Sequence, residues 1–151
     1  MRAAFILLAF LTIPAMACPS LSGNYKKCHS STGQGSTATE ILIEQKIVNQ
    51  INEFTITTKE AGESEGHVEI YKADGKTKTV TDVDPDTGMT IQTQTTASCL
   101  GNLLNLRMIA TVDGKDFANI TIKVSKSNNQ LTENYSGTSM GDHISDMIIC
   151  E

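Results

Sequence analysis

The residues best placed for chemistry are three carboxylates at every second position in Asp82-Val83-Asp84-Pro85-Asp86-Thr87-Gly88. Alternating oxygen ligands are how a loop wraps a hard cation such as calcium. Here the pattern stops short: Thr87 stands where the loop must turn on glycine, and Thr93 stands where a bidentate glutamate closes the shell. The stretch reads as an acidic hairpin loop beside Lys76 and Lys78, and no metal is expected. The three histidines, His29, His67 and His143, are scattered, and no Cys-x-x-Cys occurs, which argues against the rival reading of the cysteines as a zinc site. No serine sits in Gly-x-Ser-x-Gly. His143, between Asp142 and Asp146, is the nearest approach to an acid–base pair. No catalytic residue or cofactor is assigned, and the expectation is a protein that is not an enzyme.

The cysteines carry a firmer message. Arg2, an apolar run from Ala3 to Ile13, and Ala15-Met16-Ala17 form the three parts of a signal peptide with cleavage after Ala17. All four cysteines, Cys18, Cys28, Cys99 and Cys150, follow that point, and an even number in an oxidising compartment implies two disulfides. Three pairings are open. Cys18 with Cys28 and Cys99 with Cys150 is the expected one: it closes a short local loop and ties the C-terminus to the middle of the chain. Such loops would contribute about 3 and about 4 kcal/mol on the chain-entropy model. Ala17-Cys18 also resembles the acylation site of bacterial lipoproteins, with Ala15 where those have Leu, so anchorage through Cys18 is the alternative to a periplasmic or secreted protein.

Residues 18–151 then form one domain, with 11 basic residues against 17 acidic ones. That balance argues against nucleic acid or an anionic membrane as partner. No second apolar segment is long enough to span a bilayer as a helix. Asn119-Ile120-Thr121 and Asn134-Tyr135-Ser136 are glycosylation tripeptides, relevant only in a eukaryotic source.

The elements that position these residues are strands. Met89 to Cys99, Leu104 to Val112 and Ala118 to Val124 alternate apolar and polar residues, with Asp113-Gly114 as a hairpin turn, and predict a three-stranded antiparallel meander. Further strands are expected over Glu40 to Gln50, where β-branched residues favour strand over helix, and around Phe54 and Ile56. His67 to Tyr71 is expected to pair with Lys76 to Thr81 through Asp74-Gly75. Leu131 to Thr138 and His143 to Cys150 complete the run. About ten strands joined by tight turns make an all-β antiparallel meander. A closed up-and-down barrel is favoured over a two-sheet sandwich because closure removes exposed edges.

The opening Leu21-Ser22-Gly23-Asn24-Tyr25 resembles the Gly-x-Trp start of the lipocalins and wider calycins, with Tyr25 in place of tryptophan. The resemblance implies a small exported barrel that binds a small apolar molecule. In that barrel Leu104, Leu106, Met108, Ile120, Ile122 and Val124 would line the interior as ligand-binding residues. The alternative is an envelope interaction, inhibitor or structural protein that acts through its loops while the same six residues simply fill the core.

Overall fold

The computed structural model describes residues 18–33 and 38–151. The expected signal segment, 1–17, lies outside them. Eleven strands and no helix are found among the described residues: β1 (Gly23–Lys26), β2 (His29–Ser30), β3 (Ala38–Val48), β4 (Ile51–Glu60), β5 (His67–Lys72), β6 (Thr77–Val83), β7 (Thr90–Leu100), β8 (Leu103–Val112), β9 (Lys115–Ser127), β10 (Gln130–Ser139) and β11 (Asp142–Cys150). All pairings are antiparallel. The expected meander from β7 to β9 is present, with Thr95 opposite Met108 and Met108 opposite Ile120.

Several hairpins close on two residues with positive φ, among them Asn49-Gln50, Asp113-Gly114 and Asn128-Asn129. Such turns match the right-handed twist of the flanking strands, which is why short polar dipeptides at these places fix the register. At Gly137, on β10, the requirement is steric. Its φ is 151°, and a Cβ there would lie 2.0 Å from the carbonyl oxygen of Asn119 on β9.

The expected closed barrel is not formed among the described residues. The strands divide into a four-stranded sheet, β1-β3-β4-β5, and a seven-stranded sheet, β2-β11-β10-β9-β8-β7-β6. Their inner faces pack against each other as in a sandwich: Ile41, Ile43, Phe54 and Ile56 meet Ala97, Leu104, Leu106, Val124, Leu131 and Ile148 in one core. Asp74-Gly75 does turn the chain, yet β5 pairs only with β4 and β6 only with β7, so the expected hairpin between them is splayed open. The backbone explains the splay. Ala73 N–H bonds to the Asn52 carbonyl in one sheet while Gly75 N–H bonds to the Ala97 carbonyl in the other, so the turn itself is divided between sheets.

The opposite corner is closed. β1 pairs with β3, and after two intervening residues β2 pairs with β11, so one short run of chain belongs to both sheets. Lys26 and Glu151 exchange two backbone hydrogen bonds of 2.6 and 2.8 Å. Asp146 accepts from the Ser30 and Thr32 hydroxyls at 2.8 and 2.9 Å. Its partial desolvation is outweighed by these donors, and its carboxyl is held below the usual range.

The disulfides differ from the expected pairing: Cys18 joins Cys99 and Cys28 joins Cys150. The cause is the same corner. Running β1 beside the end of β11 brings Cys28 to Cys150, and the segment before β1 crosses to β7, where it meets Cys99. The Cys18 sulfur is thereby engaged and leaves no thiol for a lipid. Sequence separations of 81 and 122 residues replace one short loop by two long ones, worth about 4.5 and about 5 kcal/mol on the chain-entropy model.

Gly23-x-Tyr25 has a local reason. Both residues lie on one face of β1, and a Cβ on Gly23 would stand 2.8 Å from the Tyr25 ring. Glycine lets the ring fold back, bury itself, and donate its hydroxyl to the Leu21 carbonyl at 2.6 Å. Lys126 reaches over the ring, with Nζ 5.5 Å from its centroid, and donates to the Ser22 carbonyl.

Gly137→Ala is expected to lower stability by about 2 to 4 kcal/mol, because backbone rather than a flexible side chain fills the space a methyl would need. A urea titration showing a change under about 1 kcal/mol would contradict the close approach of β9 and β10.

A candidate site in the cleft between β5 and β6–β7

Where the hairpin splays, a cleft of about 970 Å³ opens between the edge of β5 and the inner face of β6 and β7. Its position follows from strand alternation. Residues directly opposite in an antiparallel pair share a face. Val80 and Lys78, opposite Thr93 and Thr95, therefore line the inner side together with Ala97. From β5, Tyr71 and Glu69 face inward because they lie opposite Phe54 and Ile56, both buried. Val68 and Ile70, on the outer side of the same edge, complete the apolar part of the wall.

The rim is charged. Lys72 lies 4.0 Å from Glu53, whose main partner is Lys46 at 2.8 Å. The hydrogen bond from Lys46 holds Glu53 below the usual carboxylate range despite its burial. Lys76 and Lys78 have no carboxylate within ion-pair distance among the described residues.

Behind the cleft two tyrosine–glutamate pairs face each other from the two sheets. Tyr71 donates to Glu69 on β5, and Tyr135 donates to Glu133 at 2.7 Å on β10. Burial is the largest influence on both phenols and pushes their pKa above the ordinary value, with the nearby carboxylates adding to it. Burial also pushes the Glu133 carboxyl up. The Tyr135 hydrogen bond opposes that push, and the charge of Glu69 reinforces it. Glu133 is 5% exposed and lies on a face otherwise occupied by Leu131, Val124 and Ile148.

The six apolar residues expected to line an interior form one continuous patch on β8 and β9, with Leu104 opposite Val124, Leu106 opposite Ile122 and Met108 opposite Ile120. They divide by environment. Leu104, Leu106 and Val124 are at most 3% exposed and pack against the four-stranded sheet. Met108, Ile120 and Ile122 are half-buried further along the strands. None of the six lines the cleft.

The acidic loop acts as a turn. Asp84 Oδ1 accepts the N–H groups of Asp86 and Thr87 at 2.8 and 3.0 Å, and these bonds hold its carboxyl below the usual range. No group of three or more His, Cys, Asp or Glu placed to hold a metal occurs among the described residues. His143 is exposed and, three positions from Asp146 on β11, points to the opposite face. Asp146 is committed to Ser30 and Thr32.

The cleft residues were legible as strand residues but not as a site. The available signal was a wholly polar-and-valine strand, Lys76 to Thr81, directly after the more apolar Val68 to Tyr71; the contrast marks where the two strands part company. No family model and no curated protein matches the chain.

Glu133→Gln keeps an acceptor for the Tyr135 hydroxyl and removes a buried ionisable group. Because the folded state holds the Glu133 proton to higher pH than the unfolded state, stability is favoured below the folded pKa and falls as pH rises through it. The variant is expected to have a higher urea midpoint than the parent at pH 8 and an equal one near pH 4. An equal or lower midpoint at pH 8 would contradict the burial of Glu133.

Proposed function

We propose that this protein is an exported binding protein that takes a small, largely apolar ligand in the cleft between β5 and β6–β7. The observation that carries the reading is the cleft itself. Its volume lies in the range of small-molecule sites, and Tyr71, Val80, Ala97, Thr93 and Thr95 give it an apolar and hydroxyl-bearing wall below a charged rim. Lys72 and Lys76 at that rim suit a ligand whose polar end stays in water. The two disulfides fit an oxidising, exported setting. The lipocalin-like opening at Gly23-Asn24-Tyr25 points the same way, although here Tyr25 already has a structural duty.

A second reading, an envelope interaction, inhibitor or structural protein acting through its surface, is favoured by a different observation. Leu104, Leu106 and Val124 are buried in the core cluster against the four-stranded sheet, and Val68, Ile70, Val80 and Val83 are each more than half exposed along the two free edges.

Binding of an environment-sensitive apolar dye such as N-phenyl-naphthylamine separates the two readings. The carrier reading expects saturable fluorescence that Thr95→Trp, which fills the cleft, weakens at least about tenfold. Thr96→Trp, on the opposite face of β7, is expected to leave binding unchanged. An absence of saturable binding, or equal loss in both variants, would overturn the carrier reading and favour the surface one.

A further inference from the structure

β6 is the free edge of the seven-stranded sheet, and each of its seven residues is exposed. Its backbone polarity can be assigned from its neighbours. Asp113 N–H bonds to the Thr90 carbonyl, so Thr90 and every second residue after it turn their backbone groups toward β8. Ile91, Thr93 and Thr95 therefore bond to β6, to the residues opposite them: Asp82, Val80 and Lys78. The backbone groups of Thr77, Thr79, Thr81 and Val83 point outward. Among the described residues only the Val83 N–H has a partner on that side, the neighbouring Asp82 carboxylate at 2.8 Å.

The strand reads Thr77-Lys78-Thr79-Val80-Thr81-Asp82-Val83 and carries no proline. We infer that β6 pairs with β6 of a second copy of this chain, antiparallel and centred on Val80, to make a two-fold symmetric dimer. In that register Val80 faces Val80 across the dyad, Lys78 faces Asp82 of the other copy twice, and Thr79 faces Thr81 twice. The backbone agrees with the side chains. Thr79 opposite Thr81 and Thr77 opposite Val83 join residues whose backbone groups all point outward; pairing there exchanges the Val83 N–H bond to its own Asp82 carboxylate for one to Thr77 of the other copy, which frees that carboxylate for Lys78 in the closer, non-hydrogen-bonded positions where side chains meet. A shift by one residue would break this parity.

The charge pattern also favours a second copy of the same strand. An inward-facing lysine on an edge strand ordinarily blocks pairing. Here Asp82, four residues on, makes the strand its own complement: a second copy run in reverse sets Asp82 opposite Lys78 and Lys78 opposite Asp82. Lys78 and Val80 line the cleft, so the clefts of the two copies would meet at the dyad and the two seven-stranded sheets would become continuous.

Sedimentation equilibrium of the oxidised chain from Cys18 to Glu151, over a wide concentration range, is the test. A reversible dimer is expected, weakened about tenfold or more by Lys78→Glu, which sets like charges opposite each other twice. The double variant K78D/D82K, which exchanges the charges, is expected to restore it. Val80→Cys is expected to give a disulfide-linked dimer under mild oxidation. A monomer at all concentrations, a Lys78→Glu variant that associates like the parent, or a double variant that stays dissociated would overturn the inference.

Discussion

The structure depends on one short run of chain that belongs to two sheets. Between Gly23 and Ser30 the backbone leaves β3 and joins β11, and nearly every strong local interaction there serves that transfer. Lys26 and Glu151 exchange backbone bonds, Cys28 is covalently joined to Cys150, and Asp146 collects the hydroxyls of Ser30 and Thr32. A two-residue strand cannot hold such a corner by hydrogen bonds alone. The disulfides convert a weak junction into a permanent one by removing open conformations from the unfolded ensemble.

Closing one corner explains why the other can stay open. With the sheets fixed at β1 and β2 and a filled core between Phe54 and Leu104, the β5–β6 turn need not hold the sheets together. Its two flanking residues bond to different sheets, and the strands diverge. Exposed strand edges are normally covered or blunted. Here both edges of the gap carry exposed Val and Ile side chains, and the cleft between them has a charged rim over an apolar wall. The covalent cross-links and the shared strand run lie at one corner, and the open cleft lies at the other.

Much of the fold was legible because strand alternation and turn chemistry are local. Leu104 to Val112 and Ala118 to Val124 announce their shared face by period two, and Asp113-Gly114 and Asn128-Asn129 announce tight turns. What stayed hidden is non-local. Asp74-Gly75 turns the chain as its residue types demand, but nothing in those residues says that Ala73 will bond into one sheet and Gly75 into the other. The cysteine pairing depends on the same global fact, since short loops look favourable only until β1 is placed beside β11. For the site, the patch from Leu104 to Val124 was recognisable as apolar. Whether it lines a cavity or a packed core depends on the sheet above it, and that sheet covers half of the patch.

The central claim is that β5 is a free edge, and amide hydrogen exchange followed by NMR tests it most directly. Ala73 bonds to Asn52, so alternation assigns Tyr71 and Glu69 amides to β4 and leaves those of Val68, Ile70 and Lys72 facing the gap. The account predicts slow exchange at Glu69 and Tyr71 and fast exchange at Val68 and Ile70 within the same strand. Equal protection at all four would mean that β5 is paired on both sides, and the open corner, with the cleft it creates, would be wrong.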